Sequence, residues 1–412
     1  MTKWEMMILL LFSFVVLAFT FIPFRIPLTF LGKYLHFGIG VITCLLASPK
    51  FLKTKMFGVA LMYTVVLLLN ASYKTFVNLG NVLSETSSII ITGFMIYYAF
   101  KADYTRKFRL LIVILFSFIT VVYAIQTFRF YLTNPGIMRW AAMERNYDDA
   151  SVFFALGLAP YAFPHGLSCI IPAFVLGLKN QENSFKIKAF SLAMLICSFL
   201  LIFITQATGA LIVAVFSLIC AMLSKIGSVR NNILQLLLVS VLMLPIIVSE
   251  TVQIGIIHSI EAIISDESEY LPKLEELEHS ITNDTEGGGD IETRSNLLDN
   301  TIESILESPL FGVDSRTFGN HNALLDRWAQ YGLIAFLSIV LYIIWMIKFT
   351  WRYIPYNYRI FYLIGILANL LMMFSKSMFA WHQWFSFLVV LPIMVYFLGN
   401  NKSDYIIERI NK

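Results

Sequence analysis

An Asn-His-Asn cluster, Asn320, His321 and Asn322, stands directly before a long apolar run and carries groups that can move protons or bind anions. Asparagine is a frequent helix N-cap, so Asn320 or Asn322 is predicted to cap the helix that follows. His321 then lies at the positive end of that helix, where anions are favoured. Its imidazole can serve as a general base or bind phosphate; the alternative is a polar helix entrance with an interfacial histidine.

Arg294 opens a second segment, whose pattern predicts an amphipathic helix near 293–307. Leu298, Ile302 and Ile305 recur at helical spacing, and a proline follows the run. Arg294 lies one turn before Leu298 on the same face, so it is predicted to point toward the protein or the membrane surface. The alternative is an arginine that snorkels at the start of a helix.

The composition indicates that most of this chain lies in a membrane. Of 412 residues, 58% are hydrophobic and 14% are charged, whereas a soluble domain carries roughly 25% charged residues. So few charges cannot cover a water-facing surface, and the remaining apolar area must face lipid. The cysteines lie in apolar runs without metal-ligand spacing, so no metal site is predicted. No cofactor and no nucleic-acid partner is predicted either.

Twelve apolar runs have about the 20 residues that a helix needs to cross a bilayer. They lie near 4–23, 28–48, 55–71, 83–100, 108–128, 152–178, 187–205, 208–224, 231–249, 322–347, 358–375 and 383–399. The predicted fold class is therefore an all-α polytopic integral membrane protein with about twelve transmembrane helices. Helices 1–9 occupy residues 1–249, a loop occupies 250–320, and helices 10–12 with a C-terminal tail occupy 321–412.

Lysine and arginine orient the predicted bundle, because short cytoplasmic loops concentrate them. They gather in the even-numbered connections, at 50–55, 101–109, 179–188, 225–230 and 348–359, and near both ends of the chain. Both termini are therefore predicted to be cytoplasmic. The odd-numbered connections face outward, and the longest is the loop at 250–320, with sixteen acidic residues against three bases.

Residues 294–337 resemble the signature region of the O-antigen polymerase and ligase superfamily. The resemblance rests on Arg294, the turn Ser308-Pro309-Leu310-Phe311-Gly312, then His321-Asn322 and Gly332. The layout is similar as well: about twelve helices, inward termini, and one long outer loop before a late helix. The motif covers about a tenth of the chain and the layout nearly all of it.

This resemblance implies a fold like that of C-type glycosyltransferases and a reaction at the outer face of a bacterial inner membrane. The partners would be an undecaprenyl-pyrophosphate-linked oligosaccharide donor, a glycan acceptor and the lipid bilayer. Whether a protein that regulates glycan chain length is a further partner stays open. Arg294 would bind the donor pyrophosphate, and His321 would activate the acceptor hydroxyl or help to hold phosphate. Pyrophosphate is already a good leaving group, so it needs charge neutralisation by fixed cations more than it needs a metal ion.

One position departs from the family pattern. Many relatives carry a Ser-Arg pair at the start of the helix that here begins Thr205-Gln206, and this chain has no arginine there. Either another outward base supplies that charge or the donor is held differently, and the candidate bases are Arg139, Arg145, Arg316 and Arg327. Together with Asn320 and Asn322, these four arginines are the candidate substrate-binding residues.

Three functions remain open on the sequence. The first is a polymerase that joins lipid-linked repeat units, which the missing Ser-Arg pair favours by analogy, because polymerase sequences vary more. The second is a ligase that transfers a finished glycan to lipid A-core. The third is a non-enzymatic polysaccharide transporter; little charge in the apolar runs and no internal repeat count against it.

Overall fold

The structure is a computed structural model, and it describes most of the helical core. The described residues are 3–21, 38, 42, 49–75, 77, 79–101, 105–133, 157–160, 162–205, 207–227, 229–233, 255, 258–259, 278, 290–314, 322–375 and 381–399. Every regular element within these ranges is a helix. The helices are α1 (Lys3–Thr20), α2 (Lys55–Tyr73), α3 (Leu79–Lys101), α4 (Thr105–Thr133), α5 (Ala162–Ser168), α6 (Ile171–Lys179), α7 (Phe185–Ile204), α8 (Thr208–Leu223), α9 (Asp290–Glu307), α10 (Ala323–Tyr331), α11 (Leu333–Trp351), α12 (Arg359–Ser375) and α13 (Trp381–Gly399).

Seven helical segments in the described ranges are long and apolar enough to cross a membrane. They are α2, α3, α4, the α5–α6 pair, α7, α11 and α13. Shorter apolar stretches lie in α1, at Met6–Leu17, and in α8, at Gly209–Leu223. The predicted helices at 28–48 and 231–249 fall almost wholly outside the described residues. The described part of the chain is thus all-helical and holds seven candidate spans, whereas the sequence predicts twelve over the full length.

Burial separates the centre of the bundle from its periphery. In α13 and in the α5–α6 pair, 89% and 83% of the residues of the apolar segment are buried. In α2 and α7, only 33% of them are buried. The exposed side chains of α2 and α11 are largely apolar. Because hydrocarbon solvates apolar side chains and water does not, these exposed strips are the surfaces suited to lipid contact.

The predicted helix at 322–347 is wrong as a single element, because Gly332 divides it into α10 and α11. Gly332 has a φ of 83°, a left-handed conformation that L side chains rarely adopt. A Cβ at this position would also collide with the backbone carbonyl of Leu310. The nine residues of α10 therefore form a separate element, which is not among the candidate spans.

Candidate functional site

The helix that carries Arg294, α9, has one face buried against the protein. Thr301 and Ser304 are 1% and 3% exposed, and Ile305 is also buried. Leu298 and Ile302, in contrast, are exposed. The three predicted hydrophobic positions therefore differ in exposure: Ile305 shares the buried face with two short polar side chains, whereas Leu298 and Ile302 lie outside it.

Thr301 joins α9 to α10. Its hydroxyl lies 3.2 Å from Oδ1 of the buried Asp326. One turn further along α9, Ile305 packs with Val313 and with Ala329 of α10. From the first contact to the second, the residue number rises on both helices, from Thr301 to Ile305 on α9 and from Asp326 to Ala329 on α10. The two helices therefore run in the same direction.

Asn322 is the N-cap of α10, as the sequence predicts. Its Oδ1 accepts a hydrogen bond of 3.0 Å from the amide of Leu325, and its own amide donates to Oδ2 of Asp326 at 2.9 Å. This reciprocal pair resembles a capping box, in which two otherwise unpaired helix donors are satisfied. Asp326 therefore fixes both the start of α10 and its contact with α9.

The Pro-Leu-Phe-Gly turn closes against the junction of α10 and α11. Pro309 O accepts from the amide of Leu333 at 2.9 Å, and the amide of Val313 donates to Ala329 O at 2.9 Å. Gly312 has a φ of 72°, and a Cβ there would lie 2.6 Å from the carbonyl oxygen of Gln330. Both glycines of the signature, Gly312 and Gly332, thus permit close approach between backbones.

Lys74, at the end of α2, ties this turn to the bundle. Its Nζ donates to the backbone oxygens of Phe311 and Gln330, both at 2.6 Å. Asp314 accepts from the amide of Thr75 at 3.1 Å. Burial lowers the pKa of Lys74 to about 8, against the opposing effect of Asp314. Gln330 O is one of the last carbonyls of α10, so the lysine also caps that helix.

Arg327 forms an ion pair with Glu85 of α3. Its Nη2 lies 2.8 Å from Oε2 of the carboxylate, and its Nη1 donates to Oε1 of Gln330 at 2.7 Å. The hydroxyl of Tyr63 donates to the other oxygen of Glu85. Burial alone lowers the pKa of Arg327, but the neighbouring carboxylate of Glu85 holds it above its ordinary value. The guanidinium therefore stays charged and links α10 to α2 and α3.

Arg139, Arg145, Arg316, Asn320 and His321 lie outside the described residues. For Arg294 the backbone lies in α9, and its side chain is outside them.

Sequence reasoning missed Glu85, Asp326 and Lys74. The sequence does contain a signal for Glu85, because it is a lone acidic residue inside an apolar run. Such residues are costly in a membrane and are commonly paired with a base. Asp326 had another, because it follows Asn322 at nearly capping-box spacing. Lys74 follows directly after an apolar run, in a connection that the sequence predicts to face outward, where basic residues are depleted.

The direction of α9 relative to α10 bears on two predicted residues. Arg294 precedes Thr301 by seven residues, about 10 Å along a helix, and Asn322 precedes Asp326 by about one turn. Since Thr301 and Asp326 are in contact and the helices are parallel, Arg294 and Asn322 belong to the same end of the pair. His321 immediately precedes Asn322 in the sequence.

Comparison of the chain with protein-family models finds no match, and comparison with curated proteins finds none either.

Proposed function

We propose that this protein is a membrane glycosyltransferase that joins undecaprenyl-pyrophosphate-linked oligosaccharide repeat units into a surface polysaccharide. One observation carries the proposal: α9 and α10 pack in parallel through Thr301 and Asp326. The start of α9 holds Arg294, and the start of α10 directly follows His321. In this proposal the two residues act together at that end of the helix pair, although 26 positions separate them in the sequence.

The reaction needs two functions, and these two residue types fit them. The acceptor hydroxyl attacks the anomeric carbon of the donor sugar and forms the new glycosidic bond. The bond from that carbon to the pyrophosphate oxygen breaks, and its electron pair leaves with the pyrophosphate. In this proposal His321 accepts the hydroxyl proton as general base. Arg294 neutralises the charge that grows on the departing pyrophosphate.

Arg327 is a weaker candidate for binding the donor than Arg139, Arg145 and Arg316. It already holds the carboxylate of Glu85 at 2.8 Å, so a phosphate would have to compete with that carboxylate. The proposal therefore gives the supplementary charge to Arg139, Arg145 or Arg316. Asn320 remains a proposed substrate contact, whereas the side chain of Asn322 is occupied as a helix cap.

The proposed topology is twelve transmembrane helices in a bacterial inner membrane, with both termini cytoplasmic and the 250–320 loop outside. A periplasm-dependent reporter fused near residue 280 tests this orientation. It should be active there and inactive when fused after residue 400. Activity in the reverse pattern would place the proposed site on the side of the membrane that lacks the flipped donor.

The test of the site is the surface glycan made by single variants. Arg294→Ala and His321→Ala should each abolish glycan extension, while the protein still inserts at normal levels. The matched control is Asp299→Asn, an exposed acid on α9 that should leave the glycan ladder unchanged. A full ladder from either site variant would refute the assignment of these two residues.

The phenotype of a deletion strain separates the polymerase from its alternatives. A core that bears a single repeat unit indicates a lost polymerase. Long chains that accumulate on undecaprenyl carrier indicate a lost ligase, the enzyme that would transfer finished glycan to lipid A-core. Lipid-linked repeats retained on the inner side indicate a lost transporter.

Buried polar residues at the centre of the bundle favour the transporter as a second candidate. His165 and His382 are 0% and 6% exposed, and Gln383 donates to Asn369 at 3.1 Å. Polar groups inside a bundle often mark a substrate path. The space beside Gln383, lined also by Met373 and Phe387, is nevertheless too narrow for a water molecule. The polymerase remains the preferred proposal.

A further inference from the structure

The exposed surface of α9 is divided into two chemically different faces. Leu298, Ile302 and Leu306 follow each other at intervals of four residues, and they are 41%, 43% and 74% exposed. Rotated away from them lies an exposed acidic face formed by Asp299, Glu303 and Glu307. With its third face packed on α10, the helix presents one apolar and one acidic strip to its surroundings.

The apolar strip continues from α9 into the turn that follows. Leu310 is 53% exposed and Phe311 is 66% exposed. The backbone of this turn is held firmly, since Lys74 donates to Phe311 O and the amide of Leu333 donates to Pro309 O. Two large apolar side chains are thus presented outward from a fixed turn.

This strip meets the lipid-suited surfaces of two candidate spans. On α2 the exposed apolar side chains end at Tyr73, whose hydroxyl lies 3.4 Å from Phe311 O. On α11 the exposed apolar side chains begin at Ile334, one residue after the contact between Leu333 and Pro309. The exposed apolar side chains of the two spans are Leu61, Met62, Val65, Leu68 and Leu69 on α2, and Ile334, Leu337, Leu341 and Ile344 on α11.

The aromatic residues at this junction mark the level of the membrane surface. Tyr73 ends α2, and Trp328 donates from Nε1 to Pro309 O at 2.9 Å while its ring stacks on Phe336 at 4.9 Å. Tyrosine and tryptophan concentrate where hydrocarbon meets headgroups. The turn at 308–312 therefore lies at the depth where a membrane span leaves the lipid.

We propose that α9 and its turn lie at the lipid–water interface on the extracytoplasmic side of the membrane that the protein spans. Leu298, Ile302, Leu306, Leu310 and Phe311 would be in contact with lipid acyl chains. The partner is the surface of the bilayer that holds the protein, and the acidic face turns toward water. Apolar burial drives the contact. Anionic headgroups do not, because the neighbouring carboxylates repel them. This placement does not depend on glycan transfer.

Spin labels on the full-length protein in zwitterionic lipid nanodiscs test the placement. Labels at Leu306→Cys and Phe311→Cys, in a background without native cysteines, should collide more with lipid-soluble oxygen than with a water-soluble nickel chelate. The matched control is Glu303→Cys on the acidic face, which should show the opposite preference. Adding anionic lipid should leave both preferences unchanged.

Two other patterns overturn the proposal. If nickel dominates at Leu306 and Phe311 as it does at Glu303, the face lies in water. If neither reagent reaches those two sites, protein covers them. A photo-reactive amino acid at position 306 or 311 of the otherwise native chain gives a second readout that does not require cysteine removal. Crosslinks to phospholipid support the proposal, and crosslinks to a second copy or to another segment of the chain contradict it.

Discussion

The guanidinium of Arg327 lies 2.8 Å from the carboxylate of Glu85, so a charge on the short helix α10 is balanced by a charge on the candidate span α3. The two side chains are 18% and 11% exposed. Water therefore contributes little to the solvation of either charge, and each needs the other.

Removal of one partner should therefore cost more than removal of both. Arg327→Met leaves the Glu85 carboxylate buried and unpaired, which should destabilise the protein by about 3–5 kcal/mol. The double variant Glu85→Leu, Arg327→Met should recover most of that loss. Thermal unfolding in detergent, followed as a double-mutant cycle, measures the difference. Independent, additive losses would show that the pair contributes no coupling.

The same double variant decides whether Arg327 also binds substrate. If its function is only to pair with Glu85, the stable double variant should retain glycan extension. A stable double variant without a glycan ladder would instead support the sequence prediction that Arg327 contacts the donor.

Gly332→Ala should destabilise the junction of α10 and α11. The backbone conformation alone costs about 1–3 kcal/mol for an L residue, and the new methyl group meets the carbonyl of Leu310. Gly58→Ala is the matched control, because that glycine lies within α2 with no atom within 4 Å of the added Cβ. Its unfolding temperature should be unchanged or slightly raised. Equal behaviour of the two variants would rule out the close approach.

Thr301→Val should loosen α9 from α10 without changing the shape of the side chain. It removes a hydroxyl that lies within hydrogen-bond distance of both Asp326 and Leu297 O, a loss of about 1 kcal/mol, and it leaves the Asn322 cap intact. Amide hydrogen exchange in peptides covering 296–307 should speed up. Ser304→Ala is the control, since its hydroxyl bonds only within α9, to Asn300 O. Unchanged exchange in Thr301→Val would mean that apolar packing alone holds the helices together.

The contribution of Lys74 should depend on pH. Its folded-state pKa of about 8 is below its ordinary value of 10.5. Between these values the unfolded chain binds more protons than the native one, so stability rises with pH across that window. The difference in unfolding temperature between wild type and Lys74→Met should shift in favour of wild type from pH 8 to pH 10. A constant difference would mean that the pKa is not lowered.

Local signals in the sequence located several parts of this region. The 3.6-residue period and the following proline predict a helix at 293–307, and α9 occupies Asp290–Glu307. The Asn322 cap was also predictable, because its hydrogen bond reaches only three residues along the chain. Both features depend on interactions between neighbours, which a sequence displays directly.

Features that depend on distant partners were not predictable. Counting apolar residues cannot detect the break at Gly332, because the segments on both sides of it are apolar. The φ of 83° at Gly332 goes with the packing of the 308–312 turn against this position. The division of the α9 surface has the same cause, since Thr301 is buried through a contact 25 residues away. Glu85 and Arg327 likewise reveal their pairing only in the folded bundle.

The contact of Lys74 with Phe311 and Gln330 has a consequence for biogenesis. Those acceptors lie 237 and 256 residues after it in the chain, so α2 is synthesised long before them. Glu85 on α3 likewise precedes Arg327 and enters the membrane while its counter-charge does not yet exist. Helix α3 must therefore remain near the insertion machinery, or keep its acid close to water, until α10 emerges. Assembly of α9, α10 and the turn between them onto the bundle is accordingly a late event in synthesis, and a chain truncated before α10 would present an unneutralised carboxylate to quality-control proteases.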